Sequence, residues 1–278
     1  MDVISFGSHY IEIALLLRES LLINGMMTNA EIWYNFSDSE VKEFEALDKM
    51  FLRKVLGTPG STPSEALYLE LGILPISVIV KARRVNYLHS ILSRDEKGML
   101  YSFFITQWYN PTKGDWTEQV KSDLSDLDLP CSFEYMKSKS KKAFKKTVKR
   151  KATEYALKVL LKKKSSHSKM EKLNYKELKL QEYLKDGNLS QAEMKTTFRY
   201  RTRMENFGEN YRGGRSQVVC PLCGTHLDNQ QLSMQCPVIK KNVTVKGDMA
   251  DIYKEDINIE TIKTISKISE FRKEIENK

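Results

Sequence analysis

Ser37-Asp38-Ser39-Glu40-Val41-Lys42-Glu43-Phe44-Glu45-Ala46-Leu47-Asp48-Lys49-Met50-Phe51-Leu52-Arg53-Lys54-Val55-Leu56-Gly57 is the stretch whose reading settles the fold class. Ser37 and Glu40 form an S-x-x-E capping box, in which each side chain satisfies a backbone N–H that a helix start leaves unpaired. Val41, Phe44, Leu47, Phe51, Leu52 and Val55 then recur at helical spacing until Gly57 stops the run. This is an amphipathic helix, and its punctuation recurs along the chain.

Downstream, Thr58-Pro59-Gly60-Ser61 is a loop. Thr62 is a candidate N-cap with Pro63 at the first helical position and Glu65 at the third, and Gly72 and Pro75 close that short helix. A third helix carries Ile79, Arg83, Tyr87, Ile91 and Leu92, with Lys81, Arg83 and Arg84 as a basic shoulder. His89, beside Tyr87 and Leu88, reads as a satisfied structural histidine. The apolar, aromatic run from Met99 to Trp108 predicts a buried helix, broken by Asn110-Pro111-Thr112-Lys113-Gly114. An acidic helix around Trp116, Val120 and Leu124 follows, and Leu129-Pro130 marks a break.

Beyond the break the composition changes. The net charge is +9 over 278 residues, yet thirteen Lys or Arg lie between Lys137 and Lys164 against the single acid Glu154. That block alone exceeds the net charge, so the rest of the chain is slightly acidic. Phe144, Val148, Ala152, Tyr155 and Val159 predict one apolar stripe on a helix, with lysines covering its other faces. Cations concentrated on one element suit a polyanion, because they displace counterions from a phosphate backbone. Ser165-Ser166-His167-Ser168 interrupts this helix, a further helix is predicted from Tyr175 to Leu184, and Ser190 caps the segment holding Met194 and Phe198. Residues from Ile259 onward suit a terminal helix, and Lys246-Gly247-Asp248 reads as a turn. The fold class is mainly α.

Three of the four cysteines cluster as Cys220-Pro-Leu-Cys223-Gly-Thr-His226 and Cys236, after the basic run Tyr211-Arg212-Gly213-Gly214-Arg215. Two thiolates on a tight Cys-x-x-Cys turn can face one tetrahedral ion, and zinc is the metal that such a set takes, with Cys220, Cys223, His226 and Cys236 as candidate ligands. The alternative is a reduced surface turn with a solvated His226. A redox pair fits less well, since no βαβ pattern surrounds it.

No phosphate-binding G-x-x-x-x-G-K-[ST] loop, H-E-x-x-H or G-x-S-x-G motif occurs, nor an Asp-Asp pair for two-metal chemistry. No run approaches the ~20 apolar residues of a membrane helix. The start lacks the basic and apolar regions of a signal peptide. The expectation is an intracellular protein, nuclear or cytoplasmic, without a membrane partner.

Several runs in order resemble a known family: Leu17-Arg18-Glu19-Ser20-Leu21-Leu22-Ile23-Asn24, Thr28-Asn29-Ala30-Glu31-Ile32-Trp33-Tyr34, Leu47 to Gly57, Thr62 to Gly72, Arg83-Arg84-Val85-Asn86-Tyr87-Leu88 and Gly114-Asp115-Trp116. Phe198-Arg199-Tyr200-Arg201-Thr202-Arg203-Met204, Asn210-Tyr211 and Cys220-Pro-Leu-Cys223 continue the order. From about residue 15 onward, this is similar to the C-terminal region of a non-LTR (LINE-type) retrotransposon reverse transcriptase. The resemblance implies a thumb-like helical region over 1–130, a basic helical linker over 131–207, a CCHC-like zinc knuckle over 208–240 and a helical tail over 241–278.

The resemblance also implies an RNA or DNA partner, either the element's transcript or primed target DNA. The family's Asp-Asp palm lies upstream of the matching region, so the expectation is a binding piece that is not an enzyme alone and that works with a palm-bearing segment. Phosphate contacts would come from Lys141, Lys142, Lys145, Lys146, Lys149 and Arg150, and from Arg199, Arg201, Arg203, Arg212 and Arg215. Tyr200 and Tyr211 would stack on bases. In one respect the chain departs from the family: its histidine position before the last knuckle cysteine holds Gln231 and Leu232 here. Either His226 substitutes or the site has decayed. The competing readings are a protein- or membrane-surface module built on the basic amphipathic helix, or a relic without function.

Overall fold

The computed structural model describes residues 9–33, 38–210 and 218–276. They are mainly α, as the periodicity predicts, and among them the only β pairing is an isolated antiparallel bridge between Val219 and Leu227. The helices in chain order are α1 (Tyr10–Leu17), which continues as a π-helical stretch (Arg18–Ile23), α2 (Asn24–Met26), α3 (Asp38–Leu56), α4 (Ser64–Leu71), α5 (Ile76–Leu92) and α6 (Met99–Tyr109). There follow α7 (Trp116–Asp126), α8 (Phe133–Lys137), α9 (Lys141–Lys164), α10 (Gln191–Arg201), α11 (Gln230–Ser233), α12 (Pro237–Asn242) and α13 (Ile259–Glu276). They form two compact units interleaved along the chain. One comprises 1–15, 50–72 and 162–278, the other 16–49 and 73–161.

In the unit of 16–49 and 73–161, α5 is the central element and packs against α6, α7 and α8. Its basic shoulder is spent internally. Arg84 makes a paired contact with the carboxylate of Asp123 at 2.6 and 3.1 Å, Lys81 bridges Asp123 and Asp126, and Arg83 donates to the Met27 carbonyl. A second buried pair joins Arg18 to Asp48 through two bonds of 2.7 and 2.8 Å. That pair corrects the stripe expected on α3. Asp48 is fully buried, so its neighbour Leu47 is turned outward and 48% exposed. Ser37 of the expected capping box lies outside the described residues, whereas Gly57 ends α3 with φ +57° as expected. His89 is structural: its ring stacks on Phe144 with centroids 4.4 Å apart, and Nε2 donates to the Lys139 carbonyl.

The other unit is organised around one buried carboxylate. Glu70, at the end of α4, accepts from the Tyr175 hydroxyl at 2.5 Å, the Tyr183 hydroxyl at 2.8 Å and Arg201 Nε at 2.9 Å. Arg201 Nη1 donates to both the Ile252 and Lys254 carbonyls. A charge pair removed from water is tolerable only when further hydrogen bonds support it, and the two phenols and two carbonyls supply them here. Burial, followed by the charge of Glu70, pushes both tyrosine hydroxyls well above their ordinary pKa.

This network overrides the helix expected from Tyr175 to Leu184. The chain there is irregular, with only a short 3₁₀ turn at Glu182–Leu184. In a helix, residues eight apart are separated by about 12 Å along the axis, yet both phenols converge on one carboxylate. The segment runs hard against Gly72, which has φ +64°. A Cβ there would sit 2.1 Å from the Lys179 carbonyl carbon, so only glycine fits. Ser190 does cap α10, in a full capping box with Glu193, and α10 packs on α13. The turn at Lys246-Gly247-Asp248 is present, with Gly247 at φ +82°.

Candidate nucleic-acid interface and metal centre

Helix α9 presents the lysine block as a helix of 24 residues. Its buried stripe is Phe144, Val148, Ala152, Ala156 and Leu160, a strict four-residue step. The expected Tyr155 and Val159 lie half-buried on its shoulder. Four residues advance about 40° past a full turn, so the buried line winds round the helix and leaves the lysines of the first turns on the outer face. Lys141, Lys142, Lys145, Lys146 and Lys149 are exposed there, and none has an ion-pair partner among the described residues. Arg150 is exposed too but bonds Glu154 at 2.5 Å, and Lys151 is tied to Asp128. The stripe itself is buried within the fold.

The cations flanking the knuckle behave differently. Arg201 is 2% exposed and committed to Glu70, so it is a structural residue. Tyr200 is fully buried, edge-on to Phe207 at 5.6 Å, and offers no face to a base. On α10, Tyr200 joins the core shared with α13, and Arg201, one position on, turns to Glu70 and the Ile252 and Lys254 carbonyls. Arg199 bonds Glu205 at 2.6 Å and the Gly57 carbonyl at 3.1 Å, and Arg203 pairs with Glu209 at 2.7 Å. These are commitments within the fold, and they leave the phosphate-binding expectation with α9. Tyr211, Arg212 and Arg215 lie outside the described residues.

The cysteine cluster forms a knuckle. Cys220 N–H donates to the His226 carbonyl at 2.7 Å, Gly224 N–H donates to the Cys220 carbonyl at 2.9 Å, and the Val219–Leu227 bridge closes the loop. Gly224 takes φ +64°, the left-handed turn that glycine adopts without strain. The sulfurs of Cys220, Cys223 and Cys236 lie within 4.8 Å of one another. Sulfurs at the corners of a tetrahedral zinc site stand about 3.8 Å apart, given Zn–S bonds of about 2.3 Å, so the three need only a small contraction to share an ion. The Thr225 hydroxyl, 3.3 Å from Cys223 Sγ, and the backbone N–H groups of Thr225 and His226 hold the Cys223 thiol down to about 6. Burial raises that of Cys236.

His226 gives the knuckle its backbone, and its ring is not in the sulfur group. Among the described residues no fourth His, Cys, Asp or Glu joins the three thiols. Cys220 and Cys236 also belong to a core shared with Phe207, Ile239, Ile265 and Ile268, which seats the knuckle on α13. A buried carboxylate locks that seat. Asp228 accepts from Gly208 N–H at 2.7 Å and pairs with buried Arg272 of α13 at 2.9 Å. Its one signal was Arg272, a cation among the apolar positions of α13.

No helix among the described residues is long and apolar enough to cross a membrane. The chain matches no family model, and no curated protein or solved structure is similar to it.

Proposed function

We propose that this chain binds RNA or DNA through the outer face of α9, as a C-terminal region of a non-LTR reverse transcriptase would, holding nucleic acid for a palm-bearing polymerase segment. The observation that carries the reading is the row Lys141, Lys142, Lys145, Lys146 and Lys149, exposed and without ion-pair partners on a helix whose apolar stripe is buried. Several other basic residues, Arg84, Arg199, Arg201 and Arg203 among them, are committed to carboxylates of the fold. Like charges one helical turn apart repel, and a phosphate backbone relieves that repulsion. Such contacts give affinity without sequence preference.

The test is a salt titration of RNA and DNA binding. The affinity falls with salt by a log–log slope of about 0.9 per phosphate contacted on duplex DNA and about 0.7 on single strands. Changing Lys141, Lys145, Lys146 and Lys149 to Gln lowers that slope and the affinity. Absence of binding at low salt, or affinity indifferent to salt, refutes the reading.

Zinc is the ion we assign to Cys220, Cys223 and Cys236, where it would crosslink the knuckle to the core on α13. Purified wild type carries about one zinc per chain, Cys223→Ser loses it and His226→Ala keeps it, as measured by metal analysis after dialysis. Full zinc retention in Cys223→Ser removes the site.

A further inference from the structure

The basic helix and the knuckle leave one sizeable cavity of the described residues without a role. It is a cleft of about 710 Å³ in the unit of 16–49 and 73–161, within the range of small-ligand sites. Its walls are aromatic: Tyr87 of α5, Phe103 and Phe104 of α6, and Trp116 of α7. The Trp116 indole is fixed. Its N–H donates to the Glu31 carbonyl at 2.8 Å, and Tyr87 and Phe104 meet it edge-on at 5.9 and 6.2 Å. Phe103 is 68% exposed at the mouth.

The polar lining is as telling as the rings. The Gln107 carboxamide makes no hydrogen bond among the described residues, and Asn110 uses only its N–H₂, on the Thr106 carbonyl, leaving Oδ1 open. Between them these amides offer a donor and two acceptors in a cleft of flat rings. Asp115 is the one acid in the lining, and it is spent. Its carboxylate accepts from Thr112 N–H, the Thr112 and Thr117 hydroxyls and Glu118 N–H. Lys113, exposed and without an ion-pair partner among the described residues, sits in the loop between lining residues Thr112 and Asp115. The cleft therefore presents stacking faces and unspent amides, with a cation in the adjoining loop and the oxygens of its one carboxylate taken up by hydrogen bonds.

An aliphatic peptide face would cover Gln107 and Asn110 and leave their amides unpaired, which costs free energy. A planar heterocycle with hydrogen-bonding edges satisfies both the rings and the amides, and its phosphate meets Lys113. We propose that this cleft takes an unstacked nucleobase of single-stranded RNA or DNA, stacked on Phe103 and Trp116 and read at its edge by Gln107 and Asn110. It rests on the nucleic-acid reading above and adds to it a site that sees bases, where α9 sees only phosphates.

The test compares a twelve-nucleotide single strand, as RNA and as DNA, with an abasic phosphodiester polymer of the same length at fixed salt. Wild-type protein binds the base-bearing strands about 5- to 100-fold more tightly than the abasic polymer, the range that stacking of one base supplies. Phe103→Ala abolishes that difference and leaves the salt slope unchanged, and Gln107→Leu reduces it. The RNA and DNA arms identify which sugar the cleft accepts. Equal binding of base-bearing and abasic polymers by the wild type overturns the proposal. So does a preference that survives Phe103→Ala.

Adenosine 5′-monophosphate at millimolar concentration separates this proposal from the one it rests on. A shift of the Trp116 indole N–H resonance in the wild type, lost in Phe103→Ala, supports the cleft even if no oligonucleotide binds, and in that case the role of α9 is what fails. No shift overturns the cleft whatever the lysines do. A concentration-dependent dimer in sedimentation, lost in Phe103→Ala with no base preference, makes this face a contact between copies and overturns it as well.

Discussion

Helices α9 and α6 belong to the same region of the chain and are opposites in composition and in what they hide. α9 is dense in lysine, yet Phe144, Val148, Ala152, Ala156 and Leu160 are all buried. α6 has no charged residue between Met99 and Tyr109, yet only Phe104 and Trp108 are buried, while Met99, Phe103 and Tyr109 are 75, 68 and 70% exposed. Burial follows the spacing of apolar positions against a partner face and not their number. α9 repeats its apolar residues every four positions and finds one groove. α6 is uncharged and mostly apolar, packs by one edge, and leaves Met99, Phe103 and Tyr109 as surface, which in a folded protein marks a place where something binds.

The contrast can be broken most severely on α9. Val148→Asp puts an unpaired carboxylate into the stripe and costs about 4 kcal/mol or more, seen as loss of cooperative unfolding in a denaturant titration. Phe103→Asp on α6 makes the same kind of change at an exposed apolar position and shifts stability by about 0.5 kcal/mol or less. Equal effects from the two would show that α6 is covered.

A smaller effect is expected where α6 hands over to α7. Asp115 caps α7 and also accepts from Thr112, and Asp115→Asn turns an N–H₂ towards one of those donors at a cost of about 1 kcal/mol or more. Burial alone would raise the Asp115 pKa, but hydrogen bonds from Glu118 and Thr117, and from Thr112, hold it down to about 2 from an ordinary value of 3.8. The folded carboxylate therefore stays ionised at pH values where the unfolded one is protonated. Its contribution is complete above about pH 4 and fades as the pH falls towards 2. In acid titrations followed by circular dichroism, Asp115→Asn flattens this part of the stability curve. An unchanged acid limb would show that the cap contributes nothing.

The smallest change in stability belongs to the lysine face. Replacing Lys141, Lys145, Lys146 and Lys149 together by Gln moves the unfolding midpoint little, by about 0.5 kcal/mol in either direction, because the side chains are exposed and relief of their mutual repulsion offsets lost hydration. A large loss would mean that these lysines hold the fold together and are not reserved for a ligand.

Local signals in the sequence carried far. Ser190 with Glu193, Gly57, Gly72, and Ile259 at the start of the last helix all mark element ends by chemistry confined to a few neighbours, and the structure puts the ends there. Long-range partners were not legible. Nothing near Tyr175 announces that its hydroxyl will meet Glu70, so a helix-like pattern of residues becomes an irregular crossing. Nothing near Leu47 announces that Asp48 will turn inward to Arg18. At the knuckle, the Cys-x-x-Cys turn was plain in the sequence and the third thiol of Cys236 joins it, whereas the role of His226 depended on which way a ring points. Tyr200 and Arg201 looked like ligand-binding residues because aromatic and basic types alternate there, and only the core on α13, which takes Tyr200, and the Glu70 network, which takes Arg201, show them to be interior.

The Glu70 network also sets an order of assembly. Glu70 and its cation Arg201 are 131 residues apart, and Arg201 in turn needs carbonyls at Ile252 and Lys254. At ordinary rates of synthesis of about 5–20 residues per second, the carboxylate waits on the order of ten seconds for its partner. The region of 16–49 and 73–161 has all its own residues by then. It can fold on the ribosome while α4 stays open; the Glu70 network is complete once the chain through Lys254 has emerged, and the knuckle core only after α13 follows.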